Sequence, residues 1–135
     1  NQLSLPGNAP GPRSGHAVAY DEARRCLVSF GGIAGSSYLD DTWELGVHWT
    51  MRSPATRPSP RAGHTMAYDA WRNRVILFGG TTSSGASLET WEWDGNDWSP
   101  ISVAAGPQTA EVGAMIYDAA KRCVAAFDGR DLWQY

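Results

Sequence analysis

Residues 61–98 repeat, landmark by landmark, an earlier stretch of the same chain. Arg61-Ala62-Gly63-His64 is followed by Tyr68-Asp69, Phe78-Gly79-Gly80, Thr90-Trp91-Glu92 and Trp98. Upstream the same order runs Arg13-Ser14-Gly15-His16, Tyr20-Asp21, Phe30-Gly31-Gly32, Thr42-Trp43-Glu44 and Trp49. His16 and His64, Tyr20 and Tyr68, Gly31 and Gly79, and Trp43 and Trp91 all lie 48 positions apart. A third, altered copy contains Tyr117-Asp118, Phe127-Asp128-Gly129 and Trp133-Gln134. A fixed period of this length marks a propeller or a solenoid, because one unit cannot bury its own faces and must stack on the next.

Each unit breaks into short extended pieces rather than helices. The first runs from Gly63 to Tyr68, with Gly15 to Tyr20 as its twin, and a polar turn follows at Asp69 or Asp21. The second is apolar without interruption, as in Val75-Ile76-Leu77-Phe78, Leu27-Val28 and Val124-Ala125-Ala126. A short apolar run closed by glycines predicts a strand covered on both sides. Gly31-Gly32 and Gly79-Gly80 are expected to end that strand, where positive φ or close backbone approach is cheap for glycine alone. A third strand carries Trp43 or Trp91, and Asp94-Gly95 predicts a hairpin turn into a fourth with Trp98. The Pro-rich connection 52–60 excludes helix and central strand.

These residues resemble the kelch repeat, a four-stranded β-propeller blade. The pattern Pro-Arg-x-Gly-His-x-x-x-Tyr-Asp, Phe-Gly-Gly, Thr-Trp-Glu is similar to bacterial kelch repeats in particular and covers nearly the whole chain. The third copy departs, with Ala110, Val112 and Gly113 where Arg, Gly and His belong, and Asp128 in place of the first glycine. The expected fold is all-β: one kelch-type propeller unit over residues 1–135, with blades at 13–54, 61–103 and 110–135. Tyr20, Tyr68, Tyr117, Trp43, Trp91 and Trp133 are expected to pack between blades, and the paired glycines to shape them.

Residues 1–6 align with a fourth strand, while the third copy stops at Tyr135 after its third. Three blades do not close a ring, and propellers have ~4–8. The expectation is a six-bladed ring formed by a homodimer, with Asn1-Gln2-Leu3-Ser4-Leu5 pairing with Asp131-Leu132-Trp133-Gln134-Tyr135 of the partner. The alternative is a piece of a longer propeller.

A formal charge of −3 argues against a nucleic-acid partner, which wants a basic stripe. No 18-residue apolar run is present, so no membrane-spanning helix is expected. Cys26 and Cys123 hold equivalent places in the first and third copies, too far apart for a disulfide, and are expected to be free thiols.

Connections from fourth to first strand and from second to third share one rim of an up-and-down propeller. That rim comprises 32–39, 52–60, 81–88, 101–109 and Gly129-Arg130. Loops on a rigid scaffold concentrate binding residues. Ser36, Ser37, Tyr38, Arg57, Ser83, Ser84 and Arg130 would offer hydroxyls, an aromatic plane and guanidiniums to a peptide or sugar, or else be plain solvated turns. Arg13 and Arg61 are placed at the channel mouth, binding acceptors there or pairing with carboxylates. Arg24, Arg72 and Lys121 recur in the opposite rim's turns and are read as solvated. His16 and His64 recur with the repeat and are read as structural rather than as metal ligands. No catalytic residue and no cofactor is expected. The resemblance implies a non-catalytic interaction scaffold for a protein, peptide or glycan. Two alternatives remain open: an enzyme acting on sugars or small molecules in the channel, as some kelch-like propellers are, and an excised or engineered half-propeller.

Overall fold

The computed structural model describes residues 8–103, 105–110 and 112–135. Among them lie thirteen strands and no helix. The first sheet contains β1 (Ala17–Asp21), β2 (Cys26–Ala34), β3 (Ser37–Leu45) and β4 (Trp49–Arg52), in that order and antiparallel. The second contains β5 (Thr65–Asp69), β6 (Arg74–Phe78), β9 (Thr90–Trp93) and β10 (Trp98–Ile101), likewise in sequence order. Between β6 and β9 a two-stranded ribbon stands apart, β7 (Thr81–Thr82) and β8 (Gly85–Ala86). The third sheet contains β11 (Ala114–Asp118), β12 (Cys123–Phe127) and β13 (Leu132–Gln134). Pro100 lies on edge strand β10, where its missing N–H costs no ladder bond. Residues 1–5, for which strand exchange is expected, fall outside the described residues.

The aspartate of each Tyr-Asp pair shapes the first hairpin of its sheet. Asp21 Oδ1 accepts from Arg24 N, Asp69 Oδ1 from Trp71 N and Arg72 N, and Asp118 Oδ1 from Ala120 N and Lys121 N. The turn then passes through φ of 55° at Arg25, Asn73 and Arg122. Asx side chains stabilise such turns by replacing a backbone acceptor. Arg24, Arg72 and Lys121 pair back onto the same aspartates, so these cations are not merely solvated. Arg24 also lies 3.7 Å from Glu44 and over the Trp93 ring.

The sheets stack through two cores. In the first, Ala19, Val28 and Phe30 pack against Met66, Leu77, Trp93 and Trp98 of the second sheet. In the second, Ala67, Ile76 and Phe78 pack against Val112, Met115, Val124 and Ala126 of the third. Strand alternation assigns the faces: Met66 and Ala67 are neighbours on β5 and enter opposite cores. The middle sheet is thus covered on both sides, as its unbroken apolar second strand requires. Tyr20, expected to pack between blades, is instead half exposed. It lies on the side of the first sheet away from the second, where no sheet of the described residues covers it.

The glycine pairs behave differently in the two full repeats. Strand β6 stops at Phe78, but β2 continues through a bulge between Phe30 and Gly32 as far as Ala34. Segment 32–39, expected as a loop, is therefore mostly a β-ribbon ending in a tight Gly35-Ser36 turn. The glycines themselves are required by the next repeat. A Cβ on Gly31 would meet Arg61 O at 2.7 Å, and one on Gly79 would meet Ala110 O at 2.3 Å, both at positive φ.

Candidate functional site

Beneath the rim, each full repeat builds the same clasp from residues far apart in sequence. Arg61 is fully buried. Its Nε donates to Ser59 O, its Nη1 to Gly79 O at 3.0 Å and Ser87 Oγ at 3.3 Å, and its Nη2 to Ser59 Oγ and Glu89 Oε2. The indole of Trp91 donates to that same Glu89 oxygen at 3.1 Å. In the first repeat, Arg13 Nη1 donates to Gly31 O at 3.1 Å and to Asp41 Oδ1 at 2.6 Å, and Trp43 Nε1 to Asp41 Oδ2 at 2.6 Å. An arginine ties the end of the second strand to a carboxylate two residues before the tryptophan, and the indole locks that carboxylate. Arg61 therefore has no donor left for a ligand and leaves the candidate binding set, while Arg13, nearly buried, is held through Nε by Gly11 O and through Nη1 by Gly31 O and Asp41. The pairing of these arginines with the carboxylates of Asp41 and Glu89 was not legible in the sequence, because only the fold brings them together.

These contacts hold both carboxyls below the ordinary range. The Arg61 hydrogen bond does so for Glu89 against the opposing effect of burial, with Trp91 and Ser87 adding to it. For Asp41, burial acts upward but is outweighed by Arg13 and Trp43. The third sheet rewires the clasp. No arginine stands at Ala110, and Trp133 Nε1 donates to Asp128 Oδ2 at 2.8 Å, in the place of the missing first glycine. Asp128 Oδ1 meanwhile accepts from the amides of Arg130 and Asp131, closing a tight turn.

Above the clasp of the second sheet opens a cavity of about 280 Å3, lined by Ser59, Thr82, Ser83, Ser84, Ser87 and Glu89 among others. Its outer wall is the β7–β8 ribbon, whose turn is set by Thr82 Oγ1 donating to Gly85 O and accepting from Ser84 N. Glu89 remains half exposed, so a fixed anionic carboxylate faces a cleft of hydroxyls. Such a lining suits amide N–H groups, sugar hydroxyls or a basic side chain. The third sheet has a cleft at the same level, about 270 Å3, with Gln108, Arg130, Asp131 and Trp133. On the first sheet, Ser36 occupies the ribbon turn and Ser37 and Tyr38 begin β3. Arg57 is exposed and paired with Asp40 at 3.1 Å. The rim candidates are thus split among three sheets; Ser83 and Ser84 line one cleft together, and Arg130 lines another.

His64 lies below the rim, in the first core. Its Nε2 meets Phe30 O at 3.1 Å, and its ring stands edge-on to the Phe30 ring, centroids 5.5 Å apart. Burial, reinforced by the nearby Arg61, lowers its pKa to about 4. It joins two sheets as a neutral donor, a structural role. Cys26 is buried and Cys123 half-buried, both as free thiols, and burial raises the Cys26 pKa.

Radially stacked antiparallel sheets, the two full repeats opened by Arg-x-Gly-His and clasped through Gly-Gly and Trp, define a kelch-type β-propeller. Residues 1–132 match the model of the KLHDC2/KLHL20/DRC7 kelch-repeats domain, and the chain belongs to that family. Kelch-repeat domains commonly mediate protein interactions. No curated protein matches the chain.

Proposed function

We propose that this kelch-repeat chain is a non-catalytic interaction scaffold whose connection rim receives a protein, peptide or glycan. One observation carries the reading: a hydroxyl-lined cleft with a fixed carboxylate rests on a buried arginine clasp. Binding to such a cleft requires little ordering of the receptor, because the ribbon and Glu89 are already held. Ser83, Ser84 and Glu89 supply the polar contacts, and Arg57, Arg130 and Tyr38 extend the surface toward the neighbouring sheets.

The test is binding of the purified chain to peptide and glycan arrays, followed by titration of each hit. Ser83→Trp fills the cleft and should weaken a true rim ligand at least tenfold. Arg72→Ala, on the opposite rim, should leave affinity unchanged. Hits that ignore Ser83→Trp, or arrays with no hit, count against the reading.

A further inference from the structure

Two sheet faces lie open among the described residues, and each is one half of a contact whose complete form the molecule shows internally. On the first sheet, the face turned away from the second carries His16, Val18, Tyr20, Leu27 and Trp49. By strand register these correspond to His64, Met66, Tyr68, Val75 and Trp98, the face of the second sheet that the first sheet covers. Met66 is 8% exposed, whereas Val18 is 49% and Tyr20 51% exposed. A cavity of about 280 Å3 opens on this face, lined by His16, Val18, Leu27 and Trp49 among others.

At the other end, the outer face of the third sheet presents Ile116, Phe127 and Leu132, 63%, 47% and 58% exposed. Ile116 corresponds to the buried Ala67 and Phe127 to the buried Phe78 and Phe30. Leu132 stands opposite Phe127 as Thr42 stands opposite Phe30. In the complete contact, Phe30 meets His64 and Trp98 edge-on, and its carbonyl accepts from His64 Nε2.

We propose that the outer face of the third sheet docks on the outer face of the first sheet in a second copy of this chain. Phe127 enters between His16 and Trp49, and its carbonyl, which accepts Gly113 N within its own sheet, takes His16 Nε2 on its second lone pair. Leu132 covers Trp49, and Ile116 covers Val18. The occupant is a second copy because the socket is shaped for a sheet face with a phenylalanine at a strand end whose carbonyl keeps a spare lone pair. Among its described residues this chain presents one such uncovered face, and two copies about a two-fold axis cover both faces at once. Three large sheets from each copy make six, within the ~4–8 of closed propellers.

The test is the mass of the full chain in solution, by light scattering over a range of concentrations. The expected value is twice 14.6 kDa. Val18→Asp and Phe127→Asp, at exposed positions, should each weaken the dimer at least tenfold while the circular dichroism spectrum stays unchanged. Leu132→Lys replaces Phe127→Asp if the latter disturbs folding. Mixing the two variants should restore dimers, because each pair regains one intact contact. A monomer at every concentration overturns the proposal, as does a dimer indifferent to both variants. A dimer sensitive to Val18→Asp alone, or no recovery on mixing, would mean that like faces meet, or that another protein or further blades of a longer chain occupy the socket.

Discussion

The seam between first and second sheets and the seam between second and third are built from the same repeat but held by different chemistry. The first is cross-linked by polar groups at several depths. Besides His64 to Phe30 O, Trp98 Nε1 donates to Thr42 Oγ1 at 2.9 Å and Trp93 Nε1 to Glu44 Oε1 at 3.1 Å. Tyr68 OH accepts from Ala23 N at 3.2 Å, and Gly63 N donates to Gly15 O at 2.8 Å. The second seam keeps the backbone bond from Gly80 N to Ala110 O at 3.0 Å and stacks Arg122 over Trp71 at 4.3 Å. Among the described residues the rest of this seam is mainly apolar packing, with Tyr135 against Phe78; burial raises the Tyr135 pKa to about 12, against the opposing effect of Thr90 beside its hydroxyl. With Gly113 at the histidine place and no counterpart of Trp98 on the three described strands of the third sheet, the second seam is mainly apolar, without a change of register. Apolar burial with few polar links is enough to align two sheets here, and the larger polar set of the first seam adds specificity.

The sharpest way to break this comparison is to remove the phenylalanine at each seam. Phe30→Ala and Phe78→Ala should each cost ~3–5 kcal/mol. Phe30→Ala should cost about 1 kcal/mol more, because its ring meets two others edge-on while Phe78 has one tilted partner. Urea denaturation checks both, and equal losses would remove the distinction. Arg61→Met comes next. It removes the arginine donor from Gly79 O and from Glu89, which keeps the Trp91 indole, and with Glu89 half exposed the loss should be about 3 kcal/mol by the same measurement.

The third test uses acidity. His64 has a folded pKa of about 4 against 6.5 when free, so the unfolded chain takes up its proton first. Its contribution is complete above pH ~6.5 and lost as pH falls toward ~4, up to about 3 kcal/mol. His64→Gln keeps a donor and does not titrate, so the fall in melting temperature over that window should shrink. An unchanged pH profile would mean the histidine is not the sensitive group. The smallest effect is constructive. A Cβ on Gly113 would meet only Phe127 O, at 3.8 Å, so Gly113→His fits the place that His64 holds in the second sheet. A gain of about 1 kcal/mol is expected if the new imidazole reaches Phe78 O. No gain would mean that the second seam holds its sheets in a different relation.

Much of the architecture was readable in advance from particular residues. Val75 to Phe78 announced a strand covered on both sides, and Asp69 and Asp21 sat where their turns needed a local acceptor. The glycine pairs marked a close approach, though only the structure identified the carbonyls of Arg61 and Ala110 as what approaches. The rim was harder to read. Ser36 and Ser83 looked alike as loop serines, yet one caps a ribbon continuous with its sheet and the other sits on a detached hairpin over a cleft. For Arg61 the sequence left ligand binding and carboxylate pairing both open, because its carboxylate lies 28 residues away.

The sequence by itself determined the repeat, the strands and the turns, because those depend on side-chain alternation and on contacts within a few residues. Tertiary structure alone decided which arginine is buried, which tyrosine stays exposed and which carboxylate faces the cleft. Those outcomes depend on groups tens of residues apart meeting across neighbouring strands and sheets, and local pattern carries no record of a partner that distant.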